Sequence, residues 1–360
     1  MHHATLLDKL WEIGIRGNLY NWIKDFLSHR TMNVALGGSK SSPKTVLSGV
    51  PQGSVLGPLL FIIFINYLVS SLTCEFMIFA DDLKLYLNWP KSWSQSPAIG
   101  LEHLQRNIDI LAKTAASWGL QFSPQKCVNL RFQRPTVRVF DETFYTLNEA
   151  PISLVSKHRD LGLTVDISLR FHEHARETTN KAGGVVSNLL KATVCREPEF
   201  MKKLLITDIR PILDFASPLW NLGYEGDMKQ AEAVQRRWTR QINGFENISY
   251  KERLIKLELF SLQGRFIRAD LIQCWKIFNG ESVIAPEDLF RMCPDRRTRG
   301  HRFKIQPQLC SIEARKRFFT NRVVKYWNQL PDVAVAAPSV DIFKSMIYKH
   351  CYNLLYEFSE

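Results

Sequence analysis

Apolar residues recur at steps of three and four over residues 5–28, where Leu6, Leu7, Leu10 and Ile13 are followed by Leu19, Trp22, Ile23 and Phe26. That period predicts amphipathic helix, broken at Gly14 and Gly17. The stretch from Gly37 to Pro43, rich in Gly and Ser, predicts a hairpin or loop. Leu59 to Ser71 is almost wholly apolar and predicts a buried helix, with Pro58 suited to its first turn. Phe76 to Tyr86 predicts two short strands around Asp81-Asp82. Helical spacing returns at Leu101, Leu104, Ile108, Leu111, Ala115 and Trp118, and Gly119 ends it. Val128, Leu130 and Phe132 then alternate with Cys127, Asn129 and Arg131, the pattern of a half-buried strand.

Residues 133–150 carry little pattern and mark a first domain boundary. Beyond residue 155 the periodicity is mostly helical. Helices are expected over 172–192, 198–220 (interrupted by Pro211 and Pro218), 228–243, 249–259 and 261–279, where Asn279-Gly280 is a good stop. A basic, loop-like segment at 291–311 precedes closing helices over 312–329 and 339–357. The fold class expected is α+β: a mixed region over 1–150, a helical region over 151–245, and a helical, basic region over 246–360.

Composition changes this picture in one respect. The 360 residues have an ordinary globular balance, 45% hydrophobic and 23% charged, but a formal net charge of +12. Such a surplus favours a polyanionic partner, nucleic acid or an acidic membrane surface. The seven cysteines are odd in number, scattered and without a C-x-x-C pair, which points to reduced thiols inside the cell. No signal peptide is recognisable, and the run Leu59–Val69 is too short to span a bilayer. A soluble, intracellular protein (cytoplasm, nucleus or both) with no membrane partner is expected.

Two motifs carry the chemistry. The first is Gly49-Val50-Pro51-Gln52-Gly53-Ser54-Val55-Leu56-Gly57-Pro58, a loop of small and rigid residues whose backbone can approach a ligand closely. The second is Phe79-Ala80-Asp81-Asp82. In the middle of a strand two adjacent acids would face opposite sides, burying one without a partner. At a hairpin turn both can face one cleft, forming half of a site for a hard divalent cation. An Asp-Asp pair alone is as readily a solvated turn, and a Gly-Pro stretch a plain connector. Their succession, separated by an apolar helix, is what argues for a site.

The two motifs together resemble the template/nucleotide motif and the catalytic hairpin of non-LTR retrotransposon reverse transcriptases. Leu120-Gln121-Phe122 and Lys126-Cys127-Val128-Asn129-Leu130-Arg131-Phe132 resemble the family's following motif, and His158-Arg159-Asp160-Leu161-Gly162-Leu163 its entry into the thumb. Val234-Gln235-Arg236-Arg237, Asn247 to Leu254, Phe278-Asn279-Gly280, Trp327 to Pro331 and Ser339 to Lys344 resemble the tail of jockey-like elements. The resemblance implies a partial polymerase palm followed by a helical thumb and a C-terminal helical domain. It implies RNA-directed DNA synthesis with Mg²⁺ (or Mn²⁺), RNA template, DNA primer and dNTPs.

By the same resemblance Asp81 and Asp82 bind metal, Gln52 and Gly53 contact template and nucleotide, Phe79 and Ala80 line the primer end, and Lys126 assists the leaving pyrophosphate. The family's Asp-x-x-x-Ala-Phe-Asp motif, source of the third catalytic carboxylate, aligns before Met1. The fingers motifs and any endonuclease region are likewise not matched. Asp8 is no substitute, since it falls on the polar side of an amphipathic helix. The expectation is therefore a polymerase fragment that is inactive or strongly impaired as this chain. The alternative is a non-catalytic nucleic-acid-binding protein derived from the element.

Three weaker signals complete the reading. Phe171-His172-Glu173-His174 lacks zinc-site spacing, and residues two apart on a helix diverge. Cys293, His301 and Cys310 are too widely spaced for a zinc knuckle. The basic stretch 296–325 includes Arg296, Arg297, Arg299, Arg302, Arg315, Lys316 and Arg317, with Phe303, Phe318 and Phe319 interleaved. It reads equally as an RNA contact or as a solvated face beside core aromatics. Trp238 and Trp275 fall on helical stripes and are expected in the core.

Overall fold

The computed structural model describes residues 1–87, 97–132, 145–293 and 301–356. It is a mixture of helix and strand in two compact units, Met1–Val155 and Ser156–Glu360.

The first unit opens with α1 (His3–Glu12) and α2 (Gly17–Leu27), separated where Gly14 adopts φ +93°. Four two-residue strands follow: β1 (Thr31–Met32), β2 (Ala35–Leu36), β3 (Ser39–Lys40) and β4 (Lys44–Thr45). β2 and β3 form a hairpin across Gly37-Gly38, nested inside the antiparallel pair β1–β4. Next come α3 (Leu56–Leu68), the hairpin β5 (Glu75–Phe79)–β6 (Asp82–Tyr86), and α4 (Pro97–Ser117). A 3₁₀ turn at Pro124–Lys126 leads into β7 (Val128–Leu130). After it, β8 (Thr146–Leu147) pairs with β9 (Ala150–Pro151), and β10 (Ser153–Val155) runs parallel to β7.

α4 ties the apolar packing of this unit together. Its Ile108 packs with Tyr145, Leu147 and Ile152, and its Leu111 and Ala115 pack with Leu68, Ile78, Leu83 and Leu85. Trp118, just past its end, reaches Leu6, Leu10, Leu60 and Phe64. The wholly buried helix expected over 59–71 begins earlier and is buried on one side only. Gly57, Leu60, Phe64 and Leu68 face the core at helical spacing, whereas Leu59 and Ile62 are about half exposed. Uniform apolarity conceals a helical stripe, because no polar residues mark the outer side.

The second unit begins with a hairpin, β11 (Lys157–Asp160) and β12 (Leu163–Asp166). The helical periodicity did not announce it. Helices follow: α5 (His172–Ala192), α6 (Pro198–Leu204), a π turn at Leu205–Ile209, α7 (Arg210–Asp214), α8 (Ser217–Trp220) and α9 (Glu225–Thr239). Then come α10 (Tyr250–Lys256), α11 (Leu262–Phe278), α12 (Pro286–Leu289), α13 (Glu313–Arg317), α14 (Phe319–Trp327), α15 (Asp332–Val335), α16 (Val340–His350) and α17 (Tyr352–Leu355).

One apolar cluster runs through this unit from Leu163 to Tyr356. Trp238 and Trp275 are fully buried within it, as their stripes predict. α11 supplies nine buried positions, Asp270 among them. No break in the cluster falls near residue 245. Among the described residues, no helix is long and apolar enough to cross a membrane.

Candidate functional site

The Gly-rich loop is shaped by its own short contacts. Gly49 and Gly53 adopt φ +81° and +82°, a region costly for other residues. Ser54 Oγ donates to Pro51 O at 2.7 Å and accepts from Gly57 N at 3.0 Å. A Cβ on Gly57 would lie 2.8 Å from Pro51 O, so only glycine fits at this first turn of α3. The loop is also fastened from outside. Arg30 donates to Gly49 O at 3.1 Å, His3 Nε2 lies 2.7 Å from the same oxygen, and Gly49 N donates to Met1 O at 2.9 Å. His3 and Arg30 escaped the sequence reading, since nothing local to either residue points to a loop some 20 to 45 positions away. Gln52 and Gly53 are exposed at the loop's tip.

The register of the hairpin decides how its acids are presented. Phe79 pairs with Asp82, leaving Ala80 and Asp81 as the two turn residues. Ala80 takes φ +52°, as the first position of a tight hairpin turn often requires. Ile78, Leu83 and Leu85 face the core under the hairpin. Met77, Phe79 and Asp82 belong to the opposite face, with Phe79 at 65% exposure. Both carboxylates are exposed, at the end of a strand pair whose underside is packed in place.

As donors, two adjacent exposed carboxylates suit Mg²⁺ or Mn²⁺, which prefer hard oxygen ligands. They fit as part of a coordination sphere. Among the described residues no group of three or more His, Cys, Asp or Glu side chains converges to hold a metal. Asp8 is exposed on α1. Lys126 is exposed at the end of the 3₁₀ turn. Phe79, Ala80, Asp81 and Asp82 thus share one turn, while Gln52 and Gly53 sit on another and Lys126 on a third. Among the described residues no hydrogen bond or ion pair joins Gln52, Asp81, Asp82 and Lys126.

In the second unit, the basic stretch divides in two. Arg296, Arg297 and Arg299 lie outside the described residues. Arg302 is exposed and lies over the Phe303 ring at 4.7 Å; Arg315 is exposed, over Phe318 at 5.6 Å, and donates to Gln308 at 3.1 Å. Lys316 is exposed. Arg317 is engaged internally, bonding Glu313 at 2.7 Å and Gly223 O at 2.9 Å above the Tyr224 ring. Of the interleaved aromatics, Phe319 is buried and Phe303 and Phe318 are half-buried. His172 does not meet His174: it pairs with Asp227 at 2.7 Å, while His174 is buried and accepts from Thr164 N at 3.2 Å. Burial holds the His174 imidazole below its usual range. All seven cysteines are unpaired.

The chain is similar in sequence to known proteins over about two thirds of its length. Residues 1–162 match the family model described as reverse transcriptase (RNA-dependent DNA polymerase). The chain is 25% identical over 260 residues to the RNA-directed DNA polymerase from mobile element jockey of Drosophila melanogaster, covering 66% of this chain and 27% of that protein. It is 24% identical over 259 residues to the probable RNA-directed DNA polymerase from transposon X-element of the same species, with 66% and 27% covered. Against the Pol polyprotein of type-1 retrotransposable element R2 from Popillia japonica, identity is 25% over 265 residues, covering 67% and 40%. The chain therefore spans only about a quarter of the length of the jockey-type relatives it matches.

Proposed function

We propose, from the premise that this chain is a jockey-like member of the non-LTR retrotransposon reverse transcriptases with its reverse transcriptase domain at residues 1–162, that it presents the Asp81–Asp82 end of an RNA-directed DNA polymerase active site. The observation that carries this reading is the pair of exposed carboxylates at the turn of a hairpin packed from below. Asp81 and Asp82 would hold Mg²⁺ or Mn²⁺. The bound metal would activate a primer 3′-hydroxyl and steady the leaving phosphate, as in two-metal nucleotidyl transfer.

The chain's own residues then have separable tasks. The loop at Gln52 and Gly53 receives the template base and incoming dNTP, Gln52 with an exposed amide and Gly53 with no side chain to hold the ligand away. Phe79 offers an exposed apolar face against the primer end, and Ala80 keeps the turn small. Lys126 supplies a cation for the departing pyrophosphate. Residues 1–150 act as palm, 151–245 as thumb, and 246–360 as a basic helical region whose exposed Arg302, Arg315 and Lys316 meet phosphates. The unpaired thiols suit a reducing, intracellular compartment.

Two carboxylates complete only part of a two-metal site. We therefore expect this chain, assayed alone, to extend a DNA primer on an RNA template near background with Mg²⁺ and dNTPs. Vigorous extension that disappears in Asp81→Ala would overturn the impairment while upholding the polymerase reading. Metal binding is tested separately by loading Fe²⁺ and mapping hydroxyl-radical cleavage of the backbone. Cleavage should centre on residues 79–83 and vanish in the Asp81→Ala, Asp82→Ala double variant. Its absence from the unmodified chain would favour the second reading, a non-catalytic nucleic-acid binder, which rests on the net charge of +12.

A further inference from the structure

The second unit contains a cleft of about 250 Å³ on one side of α11, walled by Asp214 and Pro218 from the α7–α8 corner. Arg265, Arg268, Gln273 and Lys276 project into it from successive turns of α11, at the spacing that places side chains on one helical face. Their charges are not equally spent. Arg265 is clasped by Asp214, through Nε at 3.1 Å to each carboxylate oxygen and through a second guanidinium nitrogen. Arg268 and Lys276 are both partly buried, yet neither has a hydrogen bond or ion pair to any described residue. Burial, and then Arg265, lower the Arg268 pKa, with Asp214 opposing. A partly buried guanidinium bonds an anion more strongly than a fully solvated one.

The wall opposite is fixed. Arg322 donates to Pro218 O at 2.8 Å while gripping buried Asp270 with two bonds of 2.7 Å. Ala216, between the two wall residues, is held at φ +51°, a conformation that persists only where its surroundings impose it. Once Arg265 and Asp214 cancel, two positive charges remain beside the amide of Gln273.

We infer that this cleft binds a phosphodiester of a nucleic-acid backbone, with Arg268 and Lys276 as the charged contacts and Gln273 as a neutral donor. Among the described residues no aromatic ring lines the cleft to stack a base, so the contact reads charge and spacing, not sequence. The inference rests on the reading that the chain handles nucleic acid, but its residues are remote in sequence from Asp81 and Asp82, so the two can fail independently.

The test uses the full chain and a labelled single-stranded RNA of mixed sequence, with affinity measured by fluorescence anisotropy over a range of salt. Arg268→Ala with Lys276→Ala should weaken binding about tenfold and lower the log–log salt slope by about 0.7 for each cation removed. Arg268→Lys should recover part of the affinity, and thermal midpoints should stay unchanged. Lys251→Ala removes one positive charge from the exposed surface of α10, the same as each cleft cation, and should change little. Unchanged affinity and slope in the cleft variants would overturn the site, as would an equal loss in Lys251→Ala. Stabilisation by inorganic phosphate matching that by RNA, and abolished in Arg268→Ala, would overturn the nucleic-acid assignment in favour of free phosphate. Failure of the unmodified chain to bind RNA would overturn the inference together with its premise, whereas an inactive Asp81 hairpin alone would leave it intact.

Discussion

Asp270 is the buried acid of α11, and Arg322 is its counterion. Burial pushes this carboxyl up to about 6, and Arg322 opposes the shift without cancelling it. A folded-state pKa above the unfolded value means that the folded protein binds the proton more tightly. Stability from this group is therefore full below the ordinary aspartate range and is lost as pH rises through about 6. Arg322→Ala should cost about 3–5 kcal/mol at pH 7.5, because it strands a buried charge. The deficit should shrink at pH 5, where Asp270 takes up a proton. Urea midpoints at the two pH values measure this, and a pH-independent deficit would sink the argument. Glu232 follows the same sign. Burial raises its pKa while Tyr250, Leu262 N and Gln263 N donate to it. Neither acid is legible in the sequence: the partner of Asp270 is 52 residues away, and those of Glu232 are 18, 30 and 31 away. Asp81 and Asp82 are legible because their meaning lies in adjacency and in a glycine-rich loop close by.

At the scale of elements, caps and close approaches set the ends and spacings. Ser249 and Glu252 form a capping box at the start of α10, so Ser249→Ala should destabilise the second unit by about 1 kcal/mol. Gly264 in α11 poses a sharper question. Helix propensity alone predicts that alanine would gain about 0.5–1 kcal/mol there. A Cβ, however, would lie 2.4 Å from Leu355 O and 2.6 Å from Leu355 Cα. Leu355 O cannot yield easily, because Ser261 N and Oγ both donate to it, at 3.0 and 3.2 Å. The clash should win, and Gly264→Ala should lose about 1–3 kcal/mol, read as a lowered thermal midpoint. A raised midpoint would show that α17 gives way.

These cases explain which elements could be read. α5 and α11 repeat their apolar stripe over four to six turns, and the periodicity places them almost to the residue. The strands β8 to β12 are two to four residues long, too short for alternation to declare itself. The helix expected over 312–329 is interrupted at Phe318, whose extended φ −64°, ψ 151° separates α13 from α14. Nothing in the composition of that stretch marks the break.

Over the whole chain, the two units differ in how their apolar residues cohere, and the difference makes a prediction. The described core of residues 1–155 falls into three clusters sharing α4 and the residues just after it. From residue 156 onward there is one cluster, and polar contacts reinforce it across residue 245. Arg210 donates to Gln235 and to Phe260 O, Gln235 donates to Tyr250 Oη, and Arg265 holds Asp214. Every one of these except the first joins a residue before 245 to one after it. Divided there, each half would expose buried partners and leave Arg210 and Glu232 short of bonds, at a cost of about 1–3 kcal/mol for each unsatisfied group. Residues 156–360 produced alone should therefore unfold in one cooperative transition. Far-ultraviolet dichroism and the fluorescence of Trp220, Trp238, Trp275 and Trp327 should report the same urea midpoint. Residues 246–360 alone should show no cooperative transition. Two resolved transitions in the longer fragment, or a sharp one in the shorter, would mean that a thumb-like region and the basic C-terminal region fold independently despite their shared core.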